Sequence, residues 1–285
     1  MYKGFNLDLS NLTNEFVVNL KNRTHSSSYE DYRSIGDNLF EKHENIIQTD
    51  LKQFKNMSGQ LSGNQIIKKW FPEIKADIFL SHSHKDKDLV ICFSGWLYKE
   101  FGLTSFIDST VWGYADDLLR MIDDEYCYSA KTQTYQYNKR NYSTSHVHMM
   151  LSTSLMNMID NCECIIFINT PNSFTPANDI NNINNSRNTI SPWIFAEMLM
   201  SAMIRIQMPS RFKEGIVMDS IQASNESRDF SKSLQINYGV GIEHLTELSI
   251  TQLEEWRKKS NLLNKEKNLD ILYKITSNQK EAIYG

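Results

Sequence analysis

From residue 76 onward, short apolar runs alternate with longer stretches of helical period. Residues 77–81 (Asp-Ile-Phe-Leu-Ser) are too short for a helix and read as a buried strand. Over 88–101, Leu89, Val90, Ile91, Cys92, Phe93, Trp96 and Leu97 form a wide helical face, and Gly102 follows as a helix-ending glycine does. Residues 103–107 form the next strand, ending on Asp108. Strand, helix, strand with short joins is a βαβ unit and predicts a parallel sheet. A second round has a helix over 145–160, a strand over 164–168 and a helix opening at Ser191. Weaker strands are expected at 235–240 and 244–248, then a helix over 251–259 with Leu253 and Trp256 inward. Leu269, Ile271, Leu272 and Ile275 predict a terminal helix.

The first 75 residues are more polar. Residues 29–57 are rich in helix formers, with Ile35, Leu39, Ile46, Ile47, Leu51 and Phe54 apolar, and 58–63 are turn-rich. A short amphipathic helix over 66–71 is closed by Pro72. This part reads as an N-terminal helical extension. Two connections after strands are long, 109–144 with a helix over 115–125, and the Asn-rich 171–189. Ligands of open α/β sheets bind at the carboxyl ends of strands, where long loops are more often functional than accidental.

The helix after that second loop is the most informative. Ser191 is an N-cap and Pro192 suits the first helical position. Glu197 is the only carboxylate from Ser191 to Ile206, and an unpaired acid is costly to bury. Trp193 lies one turn before it, on the same face. A flat ring beside one acid suits a substrate with a planar ring and a sugar. The alternative is a core tryptophan and a carboxylate turned to solvent.

Composition narrows the classes. Of 285 residues, 40% are hydrophobic and 22% charged, ordinary for a globular protein, and the net charge of -4 gives no electrostatic case for nucleic acid or anionic membrane. Residues 1–10 lack the apolar core of a signal peptide, and no apolar run suits a bilayer span. Cys92, Cys127, Cys162 and Cys164 match neither a disulfide framework nor a zinc ribbon, which predicts a reducing, cytoplasmic setting.

His82-Ser83-His84-Lys85-Asp86 invites a metal reading, since two histidines one residue apart and a nearby aspartate can share an ion. It resembles the opening of the metallo-β-lactamase motif. Lys87 stands where that motif has a further histidine, only His146, His148 and His244 lie downstream, and the βαβ order differs from that fold. A substrate-binding or merely polar loop is the competing reading. No Gly-x-Gly-x-x-Gly, Walker A loop or Gly-x-Ser-x-Gly elbow is present.

Four segments in order, 77–86, Ser105-Phe106-Ile107-Asp108, 164–170 and Ser191-Pro192-Trp193-Ile194-Phe195-Ala196-Glu197, resemble a TIR (Toll/interleukin-1 receptor) domain. The last resembles its Ser-x-Trp-x-x-x-Glu helix. The resemblance covers 76–260 and implies an α/β, flavodoxin-like doubly wound parallel sheet. The N-terminal helical extension (1–75) and a C-terminal helical tail (261–285) lie outside it, and 109–144 and 171–189 are its insertions. It departs from the family in its long region after Asp108, where the usual Pro-Gly pair is missing and Trp112-Gly113 is the nearest candidate.

Many such domains cleave NAD+ at the nicotinamide–ribose bond; others are scaffolds. The resemblance implies Glu197 as the catalytic carboxylate and Trp193, Ser81, His82, Ser83, Lys85, Asp108, Trp112 and Tyr114 as substrate-binding, with NAD+ as substrate and no metal or other cofactor. It further implies self-association and, by analogy with Thoeris-type antiviral defence, a nucleotide product acting on a separate effector. Neither nucleic acid nor membrane is expected as a partner. The alternatives are a non-enzymatic TIR adaptor or, further off, a hydrolase using His82, His84 and Asp86.

Overall fold

A computed structural model describes residues 1–10, 16, 27–44, 51–55, 60–174, 187–212, 238–260 and 264–281. The five-stranded sheet is built from β1 (Lys3–Asp8), β2 (Ile78–Ser81), β3 (Ser105–Ile107), β6 (Cys164–Asn169) and β9 (Thr246–Leu248), in the order β3-β2-β6-β1-β9. Every pairing in it is parallel. The short β4 (Tyr128–Ser129) and β5 (Thr134–Tyr135) form a hairpin, and β7 (Arg187–Thr189) pairs antiparallel with β8 (Tyr238–Val240).

Side-chain alternation along the strands divides the core in two. Ile78, Leu80, Ile107, Cys164, Ile166, Ile168, Phe5, Leu7 and Leu248 face one layer, made by α1 (Ser27–Glu44), α3 (Lys87–Phe101), α7 (Ile250–Lys259) and α8 (Lys265–Glu281). Phe79, Phe106, Ile165 and Phe167 face the other, made by α2 (Gly63–Trp70), α4 (Ser109–Tyr126), α5 (Tyr137–Asn161) and α6 (Pro192–Met203). The expected α/β architecture is therefore present as a parallel sheet with helices on both faces. Gly102 is left-handed at φ 69°, and its N–H closes α3 as expected.

The expected N-terminal helical extension is corrected. Lys3–Asp8 is a strand in the sheet, between β6 and β9, and α1 packs on α3 through two glycines. A Cβ on Gly36 would lie 2.0 Å from the Ile91 carbonyl oxygen, and one on Gly95 1.8 Å from that of Tyr32. Gly95→Ala tests this contact. Alanine favours a helix by about 1 kcal/mol over glycine, but the added methyl must push the helices apart. We expect a net loss of about 2–3 kcal/mol, read as a lower urea midpoint.

The C-terminal tail also belongs to the core. Leu269, Leu272 and Tyr273 of α8 are buried, Phe101 and Trp256 stack at 3.8 Å, and Trp256 Nε1 donates to the Asn268 carbonyl at 2.6 Å. The connection after β3 differs from expectation as well. α4 starts at Ser109, directly after Asp108, and α5 starts at Tyr137, so 109–144 is mostly helix and hairpin. Within the Asn-rich 171–189, residues 175–186 lie outside the described residues, as do 235–237 of the expected strand at 235–240. Among the described residues, no helix is long and apolar enough to cross a membrane.

Candidate functional site

Ser81 is the last residue of β2, and alternation after Phe79 turns it toward the α2/α4/α5/α6 face. α6 crosses that face. Its start is fixed as the sequence predicts, with Ser191 Oγ accepting from the Ile194 N–H at 3.3 Å and Pro192 in the first turn. Ile194, Met198 and Ser201 form its buried stripe, and Glu197 falls in the same stripe. The carboxyl is thus carried into the interior by helical period alone, and Ser81 Oγ donates to Glu197 Oε2 at 2.6 Å.

Asp108 arrives from the end of β3, where it caps α4 and accepts from the Ser109 N–H at 2.8 Å. His82 Nδ1 lies 2.6 Å from Asp108 Oδ1, a close contact off the line of an ideal ring hydrogen bond. Ser81, His82, Asp108 and Glu197 are all fully buried. The remaining oxygens, Asp108 Oδ2 and Glu197 Oε1, have no protein donor among the described residues. Each carboxyl shifts the titration of the other, Glu197 raised by the charge and hydrogen bond of Asp108 and Asp108 held down by a hydrogen bond from Glu197, as expected of two acids that titrate as a pair.

The electrostatics follow from this geometry. Burial, then the charge and hydrogen bond of Asp108, raise Glu197 well above the usual carboxyl range. Burial pushes Asp108 up to about 8, against the hydrogen bonds from Glu197 and the Ser109 N–H. Burial pushes His82 down to about 4, so its ring is neutral at neutral pH. The pair retains a proton there, as two adjacent carboxyls do when repulsion disfavours double ionisation.

The other expected residues are distributed around this centre. Ser83 is nearly buried and Lys85 is exposed in a single 3-10 turn, His84–Asp86. Tyr114 is partly buried against the core. Trp112 lies in the first turn of α4, and its side chain is outside the described residues. Trp193 borders the buried stripe of α6, and its ring meets His148 of α5 edge-on, with centroids 5.7 Å apart. The ring contact of Trp193 is therefore with α5, a partner the periodicity of α6 alone gives no means of finding.

The His82-His84-Asp86 spacing does not assemble a metal centre. His82 is inside against Asp108, His84 is exposed, and Asp86 is buried against Thr170 and Asn172. Thr170 Oγ1 donates to Asp86 Oδ2 and Asn172 Nδ2 donates to Oδ1 at 2.8 Å. Among the described residues, no group of three or more His, Cys, Asp or Glu side chains could hold a metal ion. Asp86 instead ties the loop after β2 to the loop after β6. Asp86→Ala removes the acceptor of a buried hydroxyl, and we expect it to cost about 1–3 kcal/mol of stability in urea unfolding.

No family model, curated protein or solved structure matches this chain.

Proposed function

We propose that the chain is a TIR-type NAD+ nucleosidase, with a flavodoxin-like fold, that breaks the nicotinamide–ribose bond and makes an ADP-ribose-derived signalling nucleotide. The observation that carries this reading is Glu197, delivered by the Ser-x-Trp-x-x-x-Glu helix to the carboxyl end of β2 and hydrogen-bonded to Ser81. The carboxyl ends of parallel strands are where open α/β sheets bind nucleotides.

The chemistry asks little of the protein. The electron pair of the broken bond passes to the pyridinium nitrogen, so neutral nicotinamide leaves without a general acid. The ribose C1′ becomes an oxocarbenium cation, and one carboxylate suffices to stabilise it, where ordinary glycosidases use two. A cationic ring beside the Asp108–Glu197 pair favours ionised Glu197, with the residual proton held on Asp108. Ser81 orients the carboxylate. Trp193, Trp112, Tyr114, Ser83 and Lys85 are the proposed outer contacts of the dinucleotide. Water as acceptor gives ADP-ribose and releases a proton; attack by the substrate's own adenine or ribose gives a cyclic isomer.

Because the four central side chains are fully buried, a dinucleotide reaches Glu197 only after neighbouring groups part. The isolated chain is therefore a weak catalyst that needs assembly or an activator. Its proposed setting is the cytoplasm, in defence of the Thoeris type. The test is incubation of the full chain with NAD+ across a range of protein concentrations, with nicotinamide and nucleotide products identified by mass spectrometry. Release rising faster than protein concentration is expected. Its absence under every condition, activator included, would favour a non-enzymatic adaptor.

A further inference from the structure

α5 carries two stripes. Ser143, Val147, Leu151, Leu155 and Met158 are buried toward the sheet. Nearly opposite them, Tyr142, His146, Met149, Thr153 and Met156 recur at alternating steps of four and three, the spacing of a helix that pairs with another helix. Tyr142 is 70%, Met149 67% and Met156 46% exposed. The Tyr142 and His146 rings meet edge-on at 4.4 Å. From Asn141 to Ile159 the helix has no Asp, Glu, Lys or Arg. An ordinary solvated helix face is charged; methionine and tyrosine without charge are the composition of an interface centre.

We propose that this face binds a second copy of the chain, as an antiparallel α5–α5 pair about a two-fold axis at Met149. The stripe is self-complementary in that arrangement. Met149 meets the partner's Met149, and Tyr142, seven positions before it, meets the partner's Met156, seven after. That contact sets a thioether against an aromatic ring. The ends choose the direction. Lys139 precedes Met149 by nearly the distance at which Asp160 follows it, so antiparallel pairing brings each Lys139 toward the partner's Asp160. A parallel pair would oppose like charges at both ends. Asp160 Oδ1 already meets the Met1 ammonium at 3.6 Å and accepts from Gln207 Nε2 at 2.8 Å, yet its side chain stays 43% exposed, with room beside it for a second cation.

The contact is modest in area. The stripe from Tyr142 to Met156 is about 22 Å long, and such a pair buries roughly half of the ~800 Å² per partner in a standard interface. The dimer is accordingly concentration-dependent, and two-fold closure stops it at two copies. None of this depends on what the Glu197 site does.

Sedimentation velocity on the full chain from about 1 to about 200 µM is the test. A monomer–dimer equilibrium is expected, and Met149→Glu should weaken it at least about tenfold by opposing like charges on the axis. Position 149 is exposed, so the substitution leaves the core intact. Met149→Cys should give a disulfide-linked dimer on mild oxidation, since all four native cysteines are buried. Lys139→Glu should weaken the dimer, and Lys139→Glu with Asp160→Lys should restore it. A chain that stays monomeric and uncrosslinked throughout overturns the proposal, as does a dimer indifferent to Met149→Glu. Failure of the double exchange to restore pairing overturns the antiparallel register.

Discussion

Glu197→Gln is expected to reduce nicotinamide release by at least about a thousandfold, equivalent to about 4 kcal/mol of transition-state stabilisation. The amide keeps the size of the side chain and can still accept from Ser81 Oγ, now 2.6 Å from Glu197 Oε2. What it loses is the negative charge that faces the oxocarbenium cation. Folding should survive, because the native pocket already holds Glu197 as an acid well above the usual carboxyl range. Unfolding in urea should therefore show no loss of stability alongside the lost turnover. Ser81→Ala should lower turnover less, because it removes the orienting hydrogen bond and leaves the charge. A Glu197→Gln protein that still releases nicotinamide at the parent rate would remove Glu197 from the chemistry and leave the carboxyl pair as a structural feature.

The sheet was legible wherever burial on both faces made a strand uniformly apolar. Ile78-Phe79-Leu80 and Cys164-Ile165-Ile166-Phe167-Ile168 are such runs, and both are strands of the sheet. Lys3–Asp8 escaped this criterion because Phe5 and Leu7 alternate with Gly4, Asn6 and Asp8. Its small Gly4 makes room for Leu245, with a Cβ there only 2.5 Å from that side chain, and Asn6 Nδ2 donates to Glu247 at 2.9 and 3.0 Å. Those partners lie more than two hundred residues away, and local patterning cannot see them. The same limit applies at the site. The burial of Glu197 was left open by the sequence, because α6 is apolar nearly all round and only the structure shows that Glu197 shares the buried stripe of Ile194 and Met198. Its pairing with Asp108 was not legible either, because it depends on how closely β3 brings α4 to α6. Asp108 was expected as a border of the substrate site and lies fully buried against His82, its titration coupled to that of Glu197.

That coupling predicts an unusual pH dependence. For Asp108, pushed up to about 8 in the folded chain, and for Glu197, raised in the same direction, the unfolded carboxyls ionise near pH 4. Between these limits the native state binds more protons than the unfolded one, so stability falls as pH rises. His82 acts in the opposite sense. Its folded value is lowered to about 4 from an ordinary value near 6.5, so its contribution is full above about 6.5 and lost as pH falls toward 4. The two slopes oppose one another below about pH 6.5, and the carboxyl term stands alone from about 6.5 to 8. Urea unfolding should therefore show stability declining by a few kcal/mol over that upper window. Asp108→Asn should lessen the decline, because it removes one of the two raised acids and the charge that adds to burial in raising the other. A stability curve rising from pH 6.5 to 8, or one unchanged by Asp108→Asn, would mean that the two carboxyls do not titrate as a raised pair.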